Sequence, residues 1–387
     1  MKKVSIVVAS RANYGRIKSV ISAIDKSDHL ELDLVLAASA VLYRFGDISN
    51  TIVKDGFKIN HKIYSVVEGE THSTMVKSTS LLMSELATYF SISKPDFVLT
   101  VADRHETLAT AVAASYLNIP LIHTQGGEQT GSIDDKVRHS ITKLSNYHFA
   151  ATSKAAENII SMGEEPSVVY HTGCPALDLI YDSDLSVSAI EEPAKGSGAM
   201  IDFNEKYGVI VYHPVTDSLK EVKPVLEALI KFVSSSPIPY IWLWPNVDAG
   251  SDAISKTLRL SRDNNKNFAE KTRFVRSYTP TDYLRILKNS CHVIGNSSSF
   301  IRECSLLAIP SLLIGDRQRS RELASNVLTL SSECISSDVV AQNIAILPLK
   351  EDLEPSDIYS YCHAGDLIAE IIPKLASESV KAPLAYT

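Results

Sequence analysis

Residues 97–124, FVLTVADRHETLATAVAASYLNIPLIHT, read as strand, helix and strand in succession. Phe97 to Val101 is a short apolar run without polar alternation, as a strand covered on both faces requires, and His105 to Leu117 has the longer amphipathic repeat of a helix. Pro120 closes the helix before the next strand at Leu121 to His123. A helix between two buried strands is the crossover of a parallel sheet, so the reading is α/β.

The same alternation runs outward in both directions. Towards the N-terminus and beyond the quoted segment, strands are predicted at Val4 to Ala9, Leu32 to Ala37, Lys58 to Tyr64, His148 to Ala151 and Val168 to Tyr170. Helices are predicted at Arg16 to Asp25, Thr74 to Ser91, Asp135 to Ser145 and Lys154 to Met162. Periodicity lapses in SDLSVSAIEEPAKGSGAMIDFNEK, residues 183–206, which reads as an interdomain linker and entry loop. A second series of strands follows at Val209 to Tyr212, Tyr240 to Trp244, Arg273 to Val275, His292 to Ile294, Ser311 to Ile314 and Val327 to Leu330, with a helical tail from Asp366 to Leu375. Two α/β domains enclosing a cleft are therefore expected.

A length of 387 residues suits two domains, and 45% hydrophobic with 21% charged residues is ordinary globular composition. The net charge of −7 argues against a broad cationic surface for nucleic acid or anionic lipid, so any anion must meet a local pocket. Five cysteines with no CxxC pair and no zinc spacing fit reduced thiols in a cytoplasm and no metal centre. Arg11 interrupts the apolar N-terminal run far short of a signal-peptide core, and no stretch approaches the roughly 18 apolar residues of a membrane span.

Open parallel sheets bind ligands beyond the carboxyl ends of their strands, which directs attention to the residues after each apolar run. CHVIGNSSSFIRE, Cys291 to Glu303, reads as a strand, a glycine turn, three serines and a helix. Backbone N–H groups and the hydroxyls of Ser297, Ser298 and Ser299 suit a phosphate, aided by the helix dipole; plain N-capping is the alternative. Glu303, one to two turns inside that helix, suits a ribose diol. Neither GxGxxG after a strand nor GxxxxGK[ST] occurs, which disfavours bound NAD and a Walker loop.

GDRQRSRE, Gly315 to Glu322, gathers Arg317, Arg319 and Arg321, and reads as diphosphate neutralisation or as a solvated charged turn. Arg11, His213 and the loop PNVDAGS with Asn246 and Asp248 also follow strands and face the cleft on this reading. The densest polar groups are VADRHE, with Asp103, Arg104, His105 and Glu106, and HTQGGEQTGSIDDKVRH, with Glu128, Asp134, Asp135, Arg138 and His139. Clustered acids are expected to repel, raising some pKa values so that one acts as acid and another as base; helix capping is the competing explanation.

With these residues assembled, the chain resembles the hydrolysing UDP-N-acetylglucosamine 2-epimerases, bacterial sialic-acid-pathway enzymes, over nearly its whole length. SRANYGR, VADRHE, GGEQTGSIDDKVRHSITKL, HTGCP, HPVT, PNVDAGS, GNSSSFIRE and GDRQ occur in family order. The resemblance implies two Rossmann-like domains in the GT-B arrangement: 1–172 with sugar and carboxylates, 173–365 with UDP, and 366–387 returning to the first domain. It further implies a UDP-sugar substrate, a cytoplasmic homodimer and no cofactor or metal.

Carried over residue by residue, the resemblance makes Asp103 and Asp134 catalytic, and sets Arg11, Arg104, His213, Asn246, Ser297, Ser298, Glu303 and Arg317 around UDP. His213 is also a candidate catalytic residue. Where many relatives have a catalytic Glu before Gly-Gly, this chain has Gln125, which cannot exchange a proton. Either Glu128 takes over, or Gln125 only orients the sugar. Rival readings are the same reaction on UDP-N,N'-diacetylbacillosamine, a GT-B glycosyltransferase and a nucleotide-sugar sensor. A non-hydrolysing epimerase fits less well, because its usual GDT and VEAGLR are replaced here by ADR and QGGE.

Overall fold

The strands form where the sequence has uninterrupted apolar runs, because only a segment without polar side chains can be covered on both faces. The structure is a computed structural model that describes residues 1–43, 47–69, 71–214, 219–245, 250–361 and 363–377. β1 (Lys2–Val8), β2 (Leu30–Ala37), β3 (His61–Ile63), β4 (Phe97–Val101), β5 (Leu121–Thr124), β6 (Tyr147–Ala150) and β7 (Val169–His171) make one parallel sheet. Its order is β3-β2-β1-β4-β5-β6-β7, with Val4 paired to both Leu32 and Phe97. The predicted strand Lys58 to Tyr64 contracts to three residues at this sheet's edge.

A second sheet contains β8 (Ser197–Gly198), β9 (Gly208–Val211), β10 (Tyr240–Leu243), β11 (Thr272–Val275), β12 (His292–Gly295), β13 (Ser311–Ile314) and β14 (Val327–Leu330). The order is β14-β13-β12-β9-β10-β11-β8, parallel except for β8 against β11. The stretch read as pure linker thus supplies an edge strand. A Cβ on Gly196 or Gly198 would stand 2.3 Å from the carbonyl oxygen of Phe274 or Thr272, and both glycines have positive φ, so only glycine permits this approach. Together the sheets are two Rossmann-like units in the GT-B arrangement.

Each sheet reverses its winding beside its first long strand, between β1 and β4 and between β9 and β12. Such switch points open a crevice at the carboxyl ends of the strands, where a ligand fits. The helix Arg11–Asp25 leaves β1 at the first of these, its start fixed by Ser10, whose side chain accepts from the Asn13 N–H. It begins five residues earlier than the apolar repeat indicated, which puts Arg11 and Arg16 on one helix.

Ile17, Val20, Ile21 and Ile24 on this helix are fully buried, each burial contributing about 1.5–3 kcal/mol. The C-terminal helix Ala364–Ile371 joins the same core through Ile368 and Ala369. Lys2 Nζ donates to the carbonyls of Pro373 at 3.0 Å and Leu375 at 2.7 Å. No helix among the described residues is long and apolar enough to cross a membrane.

Candidate active site

The end of β12 lies against the end of β9 because Gly295 has no side chain; a Cβ there would meet the Val211 carbonyl oxygen at 2.0 Å. Asn296 then ties the two strands, its Oδ1 accepting from the His213 N–H and its Nδ2 donating to the His213 carbonyl, both at 2.9 Å. Ser297 and Ser299 hydroxyls are 2.9 Å apart, and Tyr283 lies 2.7 Å from Ser299 Oγ. From the facing helix, Arg16 Nη2 donates to Ser298 Oγ at 2.8 Å.

Between these walls is an open cleft lined by Arg11, Arg16, His213, Ser297, Ser298 and Glu303, with Leu243, Trp244 and Tyr278 among its apolar wall. That mixture of an apolar wall with a few convergent polar groups is that of a small-molecule site. Burial lowers Arg11 and Arg16 to about 10, so both remain cationic at neutral pH. Glu303 Oε2 is buried and, among the described residues, has no hydrogen-bond partner. An unpaired buried acceptor costs about 1–3 kcal/mol, which a ligand hydroxyl would relieve.

One expectation needs correction here. Ser297 caps a single 3-10 turn, Ser298–Phe300, that contains the other two serines, and the α-helix is only Glu303–Leu306, with Glu303 at its first position. A four-residue helix has too few aligned peptides for a useful dipole, so anion binding here rests on hydroxyls and arginines.

The carboxylates lie beyond β4 and β5. Ala102 and Gln125 have φ of 64° and 60°, a conformation non-glycine residues adopt at a cost and one that concentrates at functional sites. Asp103 Oδ2 accepts from Arg138 Nη2 and lies 3.9 Å from Arg321 Nη2. Burial raises the Asp103 pKa, but Arg138, Arg16 and Arg321 outweigh it and hold this carboxyl well below the usual range.

Asp135 takes Arg138 Nη1 at 2.6 Å and accepts from Thr130 and Gly131 N–H groups at 2.7 Å. Both Glu128 carboxylate oxygens lie 2.6 Å from Arg302 Nη2, and Arg321 pairs with the same group. Arg302 Nη1 also donates to Gln125 Oε1 at 2.7 Å, while Gln125 Nε2 points at Cys174 Sγ, 3.4 Å away.

The acids therefore do not raise one another's pKa as the sequence suggested. An arginine intervenes between them, and Asp103, Glu106 and Asp135 all shift down: burial opposes the shift in each, but Arg138, Arg104 and hydrogen bonds prevail.

Of the residues singled out in the sequence, Arg11, His213, Ser297, Ser298 and Glu303 line the cleft. Asp103, Gln125 and Glu128 form the adjoining network, and Arg16 belongs to both, bonding Ser298 while its charge acts on Asp103. Arg104 instead grips Glu106 at 3.0 and 3.1 Å. Arg317 is half-buried on the turn Asp316–Gln318, away from the cleft wall. Asp134 is half-buried in the first turn of the helix Ile133–Leu144, next to Asp135, which takes Arg138.

Asn246 and Asp248 lie outside the described residues. Sequence reasoning missed Arg16 and Arg302, and did not separate buried Arg321 from exposed Arg319. Arg302 follows the buried Phe300 and Ile301 and precedes Glu303, and this local sequence carried no signal that the side chain is buried. Among the described residues no group of His, Cys, Asp or Glu is arranged to hold a metal ion.

Known proteins can now be set beside this geometry. The Legionella pneumophila UDP-N,N'-diacetylbacillosamine 2-epimerase (hydrolyzing) is 29% identical over 96% of this chain and 94% of its own length. Polysialic acid biosynthesis protein P7 of Escherichia coli is 31% identical over 86% of this chain and 83% of its own. The crystal structure of UDP-GlcNAc 2-epimerase from Neisseria meningitidis bound to UDP-GlcNAc superposes with a TM-score of 0.78 at 18% identity, covering 97% of this chain and 100% of that one. The family described as UDP-N-acetylglucosamine 2-epimerase matches residues 22–373, and the chain belongs to that family.

Proposed function

We propose that this chain is a hydrolysing 2-epimerase that converts UDP-N-acetylglucosamine and water to N-acetylmannosamine and UDP, for sialic acid synthesis. The observation that carries the reading is adjacency: a cleft with Arg11, Arg16 and serine hydroxyls on its walls, beside the buried and ionised Asp103. In this reading residues 1–172 hold the sugar, 173–365 hold UDP and the segment from 366 returns to the first domain, its residues 378–387 lying outside the described ones. The working form is a cytoplasmic homodimer.

The hydrogen on sugar carbon 2 is barely acidic in the ground state, so a base alone cannot remove it. As the carbon 1 to oxygen bond breaks, its electron pair leaves with UDP and carbon 1 gains oxocarbenium character. The carbon 2 proton then passes to Asp103, and its bonding pair forms the double bond of 2-acetamidoglucal. Arg11, Arg16, His213 and the hydroxyls of Ser297 and Ser298 meet the charge developing on the diphosphate. Asn246 completes the proposed UDP set and Glu303 takes the ribose, while Arg104, held by Glu106, and Arg317, outside the cleft lining, are left out of it.

In the second step the pair of the carbon 1 to carbon 2 double bond takes a proton from Asp134 on the opposite face of carbon 2, water bonds through oxygen to carbon 1, and the proton that this water releases passes to the Asp134 carboxylate, while Asp103 returns its proton to solvent. Gln125 orients, because an amide does not exchange a proton, and so does Glu128, both of whose oxygens lie on Arg302, whereas the arginine contacts of Asp103 described above are on Oδ2. Every step moves a proton or an electron pair, so no electron acceptor is needed.

The second reading is the same reaction on UDP-N,N'-diacetylbacillosamine, favoured by the Legionella relative that spans almost this entire chain. Proton and phosphorus NMR of the protein with each nucleotide sugar, without acceptor, separates them. Free UDP and N-acetylmannosamine are expected from UDP-N-acetylglucosamine. Release of UDP from the bacillosamine substrate alone selects the second reading, and persistence of both substrates rejects hydrolysis.

A further inference from the structure

Arg302 and Arg321 belong to the half of the chain that carries the serine turn, yet they end among carboxylates of the other half. Arg302 is 2% exposed and Arg321 7%, so neither is a surface charge. Arg302 reaches Gln125 and both oxygens of Glu128; Arg321 reaches the same Glu128, lies 3.9 Å from Asp103, and is braced by Gln318 Oε1 at 2.6 Å. Around them the halves also touch through Ser320 N–H to the Thr130 carbonyl at 3.4 Å and Thr152 Oγ1 to Glu322 at 2.6 Å. Arg302 also stands next to Glu303 on the cleft wall and five residues from Ser297.

We infer that Arg302 and Arg321 are positioning residues: they lock Glu128 across the cleft and so set Asp103 and Gln125 against the sugar of a nucleotide bound between the two halves. Buried ion pairs are weak evidence for stability, since desolvation offsets the attraction, so a role in geometry explains their retention better than one in folding. The fork of two guanidiniums on one carboxylate fixes orientation as well as distance. This inference rests on the proposed binding of UDP in the cleft, and deepens it by naming what couples that site to the carboxylates.

The test uses the full chain with Arg302→Met, Arg321→Met and Glu128→Gln, singly, and Arg302→Met combined with Glu128→Gln. Calorimetry with UDP and X-ray scattering of the UDP complex need no turnover, so they decide the clamp even if the assigned substrate is wrong. The expected result is UDP affinity within about threefold of wild type, a larger radius of gyration in the UDP complex, and kcat on the accepted UDP-sugar lower by about 100-fold, the loss that a displacement of about 1 Å brings.

The double variant is expected to be no worse than Arg302→Met, because both remove one contact. Glu128→Gln keeps the side chain's shape and gives an answer if an arginine variant fails to fold. UDP affinity falling as far as kcat would make the arginines nucleotide ligands and overturn the clamp. So would unchanged scattering and kcat in Arg302→Met and Glu128→Gln, or losses that simply add in the double variant.

Discussion

The polar groups at the carboxyl ends of the two sheets differ in what they are bonded to. Beyond β4 and β5, Asp103, Glu128 and Asp135 are each paired with an arginine, and of that network Arg302 Nε is buried with no hydrogen-bond partner among the described residues. Beyond β9 and β12, serine hydroxyls bond one another and Arg16, while Glu303 Oε2 is buried with no partner among the described residues. The first region has its dipoles fixed in advance, which is what stabilising a developing charge requires. The second leaves donors and an acceptor for a ligand to complete, which is what binding requires.

If that division is right, substitutions in the two regions separate turnover from affinity. Asp103→Asn is expected to lower kcat by about a thousandfold while UDP affinity by calorimetry stays within about twofold. Near wild-type turnover would remove Asp103 from the proton transfers. Ser297→Ala combined with Ser298→Ala is expected to weaken UDP about tenfold, since hydroxyl donors to the phosphates are lost. Unchanged affinity would move the anion site elsewhere.

Glu303→Ala sharpens the comparison further. It is expected to weaken UDP about fivefold but to leave 2',3'-dideoxy-UDP almost unaffected, because the proposed partner is the ribose diol. Equal losses for both nucleotides would reassign Glu303.

The smallest effect concerns the support behind the first region. His123, wholly buried with Nε2 2.8 Å from the Ala102 carbonyl, is lowered by burial to about 3. The unfolded chain takes up this proton near its ordinary 6.5 and the folded chain only near 3, so the contribution is full above about 6.5 and is lost as pH falls towards 3. His123→Asn is expected to make the fall in Tm between pH 7 and pH 5 shallower by about 2 °C. An unchanged slope would show that this ring does not carry the acid sensitivity.

How much of this was legible depends on whether the determining contacts are local. β4, β13 and β14 have the limits that their apolar runs indicate, because burial on both faces writes itself into consecutive residues. β8 is two residues long and is held by glycines that accept another strand's carbonyls, and no periodicity fits into two residues. In the site, the residues after strand ends were found because the fold class says where ligands bind.

The arginine partners were not found, because Arg302 and Glu128 lie 174 residues apart and nothing local marks the pairing. Asp135 and Arg138, by contrast, are an i,i+3 pair within the helix that follows Ser132, a contact that helical spacing does carry in the sequence.

The most direct test of the central claim is the isotope content of the sugar released from UDP-N-acetylglucosamine in deuterated water, read by mass spectrometry and proton NMR. Elimination followed by hydration predicts N-acetylmannosamine with one deuterium, at carbon 2, and an equal amount of UDP. Release of undeuterated N-acetylglucosamine with UDP would show simple hydrolysis without opening carbon 2, and would contradict the account.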